Sequence, residues 1–160
     1  MKTLYLLRHA KSSKDDLTIK DHDRPINSKG KDQCESISTI ICDEKIMPNL
    51  IISSSALRAK QTAEIVAKDI QFKGKLELNR DLYEAKVDRY MKILKNISDD
   101  YTSVMLVGHN PTHEEFLAKL ISGQISLSTA SLVCIELSVS LWKEINADTK
   151  GRLIKILTPG

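Results

Sequence analysis

Aromatic residues are scarce in this chain of 160 residues: two Phe, four Tyr and one Trp, 4% of the total. So little stacking surface, with a formal charge of only +3, gives weak provision for holding a nucleic acid, and none is expected as a partner. The three cysteines, Cys34, Cys42 and Cys134, are odd in number and lack Cys-x-x-Cys spacing, which argues against a disulfide framework and a structural zinc site. A reducing, cytoplasmic setting is therefore expected. The four histidines have no carboxylate or cysteine partners at ligand spacing, so neither a metal nor another cofactor is expected. No apolar stretch approaches bilayer length, and the opening apolar run is too short, and too soon broken by Arg8, to read as a signal peptide. There is no internal repeat, low-complexity tract or linker. With 41% hydrophobic and 28% charged residues, positions 1–160 are expected to form one domain around one substantial core.

What the chain does have is a repeated junction. Thr3-Leu4-Tyr5-Leu6-Leu7 reads as a buried strand and runs directly into Arg8-His9-Ala10-Lys11-Ser12-Ser13. Leu50-Ile51-Ile52 runs into Ser53-Ser54-Ser55-Ala56-Leu57-Arg58, and Val104-Met105-Leu106-Val107 into Gly108-His109-Asn110-Pro111. In open α/β sheets ligands bind beyond the carboxyl ends of parallel strands, so three exits bearing two arginines and two histidines predict an anion site.

The rest of the chain supplies the layers. Lys14 to Asp23 lacks any period and reads as a loop. Asn27 or Ser28 can cap a helix whose apolar positions are Cys34, Ile37 and Ile41. Ala59, Ala63, Val66 and Ile70 mark a second helix with the preceding serines as candidate caps, and Lys75 to Leu78 a short strand. Val87, Tyr90, Met91, Leu94 and Ile97 mark a third helix; Phe116, Leu117, Leu120 and Ile121 a fourth. Strands alternating with helices at these spacings imply βαβ units and a mainly parallel sheet covered on both faces. Ser131 to Leu137 and Arg152 to Leu157 add a C-terminal hairpin, giving a three-layer α/β/α sandwich.

Each residue at the exits suits a phosphoryl group for its own reason. Guanidinium offers planar paired donors at any physiological pH, making Arg8 and Arg58 the clamps. A neutral imidazole can attack phosphorus, so His9 or His109 could be the nucleophile while the other donates to the equatorial oxygens. The serines Ser53 to Ser55 add hydroxyls at a helix N-terminus. His22 and His113 are assigned to a loop and a helix surface.

Together the runs Leu6 to Ser13, Ser54 to Ala63 and Val107 to Pro111 resemble the histidine phosphatase superfamily, and more narrowly its small SixA-type phosphohistidine phosphatases. Asp23-Arg24-Pro25-Ile26-Asn27-Ser28-Lys29-Gly30 and Ser128-Thr129-Ala130-Ser131-Leu132 are similar to further segments of that family, in the same order. The resemblance implies a phosphoglycerate-mutase-like fold, with His9 as nucleophile, Arg8 and Arg58 on the phosphoryl group, and His109 completing the pocket. Ser12, Lys11 and Asn110, in the same motifs, are expected to touch substrate. Ala10 and Lys11 stand where sugar-phosphate mutases of the family carry glycine and glutamate, which argues against mutase activity.

Larger relatives place a carboxylate where Leu82-Tyr83-Glu84-Ala85 falls, so Glu84 is the positional candidate for general acid, with Asp23 and Asp15 as competitors. An alkoxide leaving group would lose about 10²- to 10⁴-fold without such an acid, whereas an imidazole can already carry a proton on its far nitrogen. The short connections leave no material for a lid, which favours a side chain projecting from a folded protein as substrate. The expectation is a metal-independent phosphatase acting through a phosphohistidine on His9, with phosphohistidine in a protein as substrate. A small phosphomonoester is the alternative substrate, and a phospho-ligand binding module without turnover the alternative class.

Overall fold

The computed structural model describes residues 1–160. Its centre is a six-stranded sheet built from β1 (Lys2–Arg8), β2 (Leu50–Ser54), β3 (Lys75–Asn79), β4 (Ser103–Gly108), β5 (Leu132–Leu137) and β6 (Gly151–Leu157). In space the order is β3-β2-β4-β1-β5-β6. The first four of these neighbours run parallel, while β5 pairs antiparallel with β1 and β6 antiparallel with β5. The mainly parallel sheet with an added C-terminal hairpin is therefore as expected.

Burial on both faces follows from the alternation of side chains along each strand. Val104 and Leu106 of β4 join Leu4, Leu6, Leu50 and Ile52 on one face, and Met105 and Val107 join Leu7 and Ile51 on the other. Helices α3 (Val87–Lys95) and α4 (Thr112–Ile121) cover the first face through Tyr90, Leu94, Phe116, Leu117 and Leu120. Helices α1 (Ser28–Asp43) and α2 (Leu57–Asp69) cover the second through Cys34, Ile37, Ile41, Ala59, Ala63 and Val66. No helix is long and apolar enough to cross a membrane.

Asn27 caps α1 as expected, its side chain accepting the Gly30 amide at 2.9 Å. Gly30 is required there for space, since a Cβ would overlap the Lys11 carbonyl and separate α1 from the first strand exit. The serine caps expected for α2 are not found: its N-cap is Ala56, without a side-chain cap. The hydroxyls are engaged elsewhere, Ser54 with His109 and Ser55 with His22. The loop before α1 also contains a short 3-10 turn, Asp21–Asp23, that its polar sequence did not announce.

Candidate active site

Strands β1, β2 and β4 end side by side. Arg8 is in register with Gly108, and Ser53 with Val107, so the three exits expected from sequence open at one edge. The first exit is fixed by backbone: Arg8 N–H donates to Ser131 O and His9 N–H to Gly108 O, each at 3.0 Å. Ala10 N–H then donates to Thr62 Oγ1 at 2.9 Å, and that hydroxyl donates to Arg58 O at 2.7 Å, tying the His9 loop to α2. Gly108 allows close packing in the site. A Cβ at that position would stand 2.8 Å from the Tyr90 hydroxyl and 3.0 Å from His113 Cε1.

Three histidines gather at this edge, His9 and His113 buried and His109 half-buried. His9 Nδ1 lies 2.8 Å from Ala10 O. A carbonyl only accepts, so Nδ1 carries the proton and Nε2 keeps its lone pair. Burial, opposed by that hydrogen bond and reinforced by Arg58 and Arg8, lowers the His9 pKa to about 4. The ring of His109 is 5.2 Å away, centroid to centroid, and its Nε2 is 2.8 Å from Ser54 Oγ. Burial first, then His9 and Arg58, lowers His109 to about 3. Both rings are neutral near pH 7.

His113 is a correction. Assigned to a helix surface, it is fully buried, its Nε2–H donating to Leu7 O at 3.0 Å and its Nδ1 accepting from the Tyr90 hydroxyl at 2.7 Å. Its place on the apolar stripe of Phe116, Leu117 and Leu120, at helical spacing, explains the burial. His22, assigned to a loop surface, is half-buried, with Nε2 2.9 Å from Ser55 Oγ and its ring edge-on to Tyr83.

The two arginines are anchored in parallel ways. Arg8 Nη1 donates to Leu127 O at 2.9 Å, and Arg58 Nη1 to Asp21 O at 2.8 Å. In both, Nε is buried and has no partner within the protein. Orphaned charged donors are costly unless a ligand meets them, and two beside two neutral imidazoles suit a tetrahedral oxyanion. Arg58 Nη2 also reaches the Asp21 carboxylate at 3.2 Å, which accepts from Tyr83 Oη at 2.6 Å and from Arg24 at 3.0 and 3.1 Å. Tyr83 first, then the arginines, hold the Asp21 carboxyl well below the usual carboxylate range against the effect of burial. Tyr83 is pushed up to about 12, mainly by desolvation and then by Asp21.

A cavity of about 370 Å³ opens beside these groups, lined among others by Asp21, Arg58, Tyr83, Glu84, His109 and Asn110. Glu84 is exposed there, with a left-handed backbone (φ 54°). Asp15 and Asp23 are exposed and do not line this cavity. Asn110 donates through Nδ2 to Leu127 O at 3.0 Å, leaving Oδ1 buried and unpartnered. Such an acceptor suits a donor rather than a phosphoryl oxygen. Ser12 accepts from Arg24 Nη1 at 2.8 Å, and Lys11 is exposed outside the cavity lining. A larger cleft between β3 and α3, about 560 Å³, holds no histidine or cysteine.

Sequence reading missed Asp21, named Arg24 only within a family-like segment, and named Tyr83 only as a neighbour of Glu84. Asp21 comes from the loop without periodicity and meets partners 37 and 62 positions away, so no local pattern marks it.

An α/β/α sandwich with paired arginines and neutral histidines at its strand exits is the architecture of a phosphoryl-handling fold, and the comparisons define which one. The family model of the histidine phosphatase superfamily (branch 1) matches residues 4–105, and the chain belongs to that superfamily. An uncharacterized chloroplastic protein of Arabidopsis thaliana is 32% identical over 152 residues, covering 88% of this chain and 69% of the relative. Among solved structures, a protein of Agrobacterium tumefaciens provisionally described as the phosphohistidine phosphatase SixA is 30% identical, with a TM-score of 0.83 and 99% of each chain covered. The protein histidine phosphatase SixA complexed with tungstate shares the fold at 19% identity, with a TM-score of 0.83 over 98% of this chain and 97% of that one. The fold is thus SixA-like.

Proposed function

We propose that residues 1–160 act as one phosphatase domain that transfers a phosphoryl group to His9 and then to water, with phosphohistidine in a protein as the substrate. The observation that carries this reading is the state of His9: proton fixed on Nδ1 by Ala10 O, lone pair on Nε2, ring neutral, and two arginines beside it with unpaired Nε donors. Nε2 forms a bond to phosphorus as the bond to the leaving group breaks, and the leaving atom keeps that electron pair. Water next attacks phosphorus, the N–P bond breaks back to Nε2, and inorganic phosphate and a proton leave. Arg8 and Arg58 balance the charge that grows on the transferring oxygens, and the neutral His109 donates a hydrogen bond to them.

A phosphohistidine substrate is supported by the likeness to the Agrobacterium protein and by the buried Asn110 Oδ1, an acceptor that matches an imidazole N–H. Small phosphomonoesters form the second reading. Glu84 is favoured as proton donor for these, because it lines the cavity where Asp15 and Asp23 do not. Three free cysteines support the cytoplasmic placement.

The test is rapid quenching of a reaction with radiolabelled phosphohistidine peptide or p-nitrophenyl phosphate in excess chelator. An acid-labile label on His9, absent from His9→Ala together with all turnover, is the expected outcome. Full turnover by His9→Ala would exclude the covalent route, and turnover only with added divalent ion would exclude the metal-independent one.

A further inference from the structure

Arg58 carries five N–H groups, and the loop before α1 engages a defined subset of them. Asp21 takes the outer end of the guanidinium twice, through its main-chain carbonyl on Nη1 at 2.8 Å and through its carboxylate on Nη2 at 3.2 Å. The side bearing Nε is left free and buried. A planar fork held at two points on its end cannot rotate about its long axis, so the edge it turns to a ligand is determined. The holding carboxylate is itself held: Tyr83 Oη donates to it at 2.6 Å and Arg24 at 3.0 and 3.1 Å. Arg24 in turn is fixed by Ser12 Oγ at 2.8 Å and Ser13 O at 3.1 Å, in the loop that follows His9. The nucleophile loop and the clamp are therefore linked through one carboxylate.

We infer that Asp21 is a positioning residue for Arg58, holding the outer end of the guanidinium so that its Nε edge faces the phosphoryl group. The inference rests on the phosphatase reading above. A second arrangement, in which Asp21 competes with phosphate for Arg58, would need the carboxylate on Nε, and Nε has no partner.

The experiment is a double-substitution cycle on the intact chain, read by calorimetric titration with inorganic phosphate and, separately, by kcat and KM. Asp21→Asn keeps shape and the main-chain bond to Nη1 while removing the charge; because this side chain is half exposed the variant is expected to fold, which its thermal midpoint checks. The expected result is phosphate binding weakened about tenfold and a KM raised in step, but no further weakening when Asp21→Asn is added to Arg58→Ala. Asp21→Ser, as a second variant, should behave alike. Additive losses in the double variant would assign Asp21 a general structural role and overturn the inference. Unchanged or tighter phosphate binding by Asp21→Asn would overturn it also, in favour of competition. If Arg58→Ala alone leaves phosphate binding intact, there is no clamp to position and the inference falls with it. Absence of turnover by the parent chain, with the binding cycle as expected, would instead strike only at the phosphatase reading.

Discussion

Arg8 and Arg58 approach one centre from different parts of the chain, and their supports differ in kind. Arg8 hangs on the Leu127 carbonyl, a neutral acceptor it shares with Asn110, and Leu127 is pinned through its own N–H to Glu114 Oε2 at 2.6 Å. Arg58 hangs on the main-chain carbonyl and the carboxylate of Asp21, a residue in a short polar turn whose side chain is half exposed. One clamp is set by backbone tied down at distance from the chemistry. The other is set by a charge that a single substitution can remove. The same donor geometry can thus be built with or without an ion pair, and the version with one is the more easily disturbed.

The comparison is broken most severely by replacing the clamps themselves. Arg8→Lys and Arg58→Lys should each lower kcat/KM by about 10²- to 10³-fold, since lysine keeps the charge but loses the planar pair of donors. Steady-state kinetics with p-nitrophenyl phosphate would show it, and a gap above tenfold between the two variants would mean that the arginines are not equivalent on the phosphoryl group. Glu114→Gln addresses the other support. It removes the charge but leaves an amide oxygen for the Leu127 N–H, so the loss should stay below about tenfold, smaller than that from Asp21→Asn. A larger loss would show that the Leu127 anchor depends on charge after all.

The smallest effect near neutrality, growing toward acid, concerns stability. His9 and His113 titrate at about 4 in the folded chain and His109 at about 3, against about 6.5 unfolded. Between those values the unfolded chain binds protons that the folded chain refuses, so unfolding free energy falls as pH drops from 6.5 toward 4 and is flat in this respect above 6.5. Each histidine contributes a slope of at most about 1.4 kcal/mol per pH unit. Urea unfolding at pH 7, 6 and 5 measures the sum, and His113→Asn, which lies off the phosphoryl site, should flatten it. Equal stability at pH 5 and 7 would contradict the burial of these rings.

Much of this was legible in the chain because it is local. Apolar runs ending in Arg8, Ser54 and Gly108 define strand exits by alternation and punctuation alone, and the helices announce themselves through residues such as Ile37 and Val66. His113 was legible too, one turn before Phe116 and Leu117, but its polarity masked its place on the stripe. Asp21 was not legible. Its importance arises only when the chain brings it to Arg58 and Tyr83, and neither periodicity nor spacing within its loop encodes that meeting. The serines at 53–55 were read as helix caps for a related reason: a hydroxyl can bond either its own helix or a histidine ring brought from elsewhere in the chain, and local sequence does not choose between them.

The order of the strands has a bearing on how the protein would fail under stress. β1 and β4, which deliver His9 and His109, occupy the middle of the sheet with partners on both sides, while the edges are β3 and β6. Amides of central strands exchange with solvent only through openings close to global unfolding, whereas exposed turns open locally at small free energy. Partial fraying at either edge would leave the two histidines in place, and irreversible heat inactivation should follow the cooperative transition rather than precede it. The turn around Asp21 lies outside the sheet and is half exposed, so it is expected to open first, and affinity for phosphate should then soften with temperature before the fold gives way.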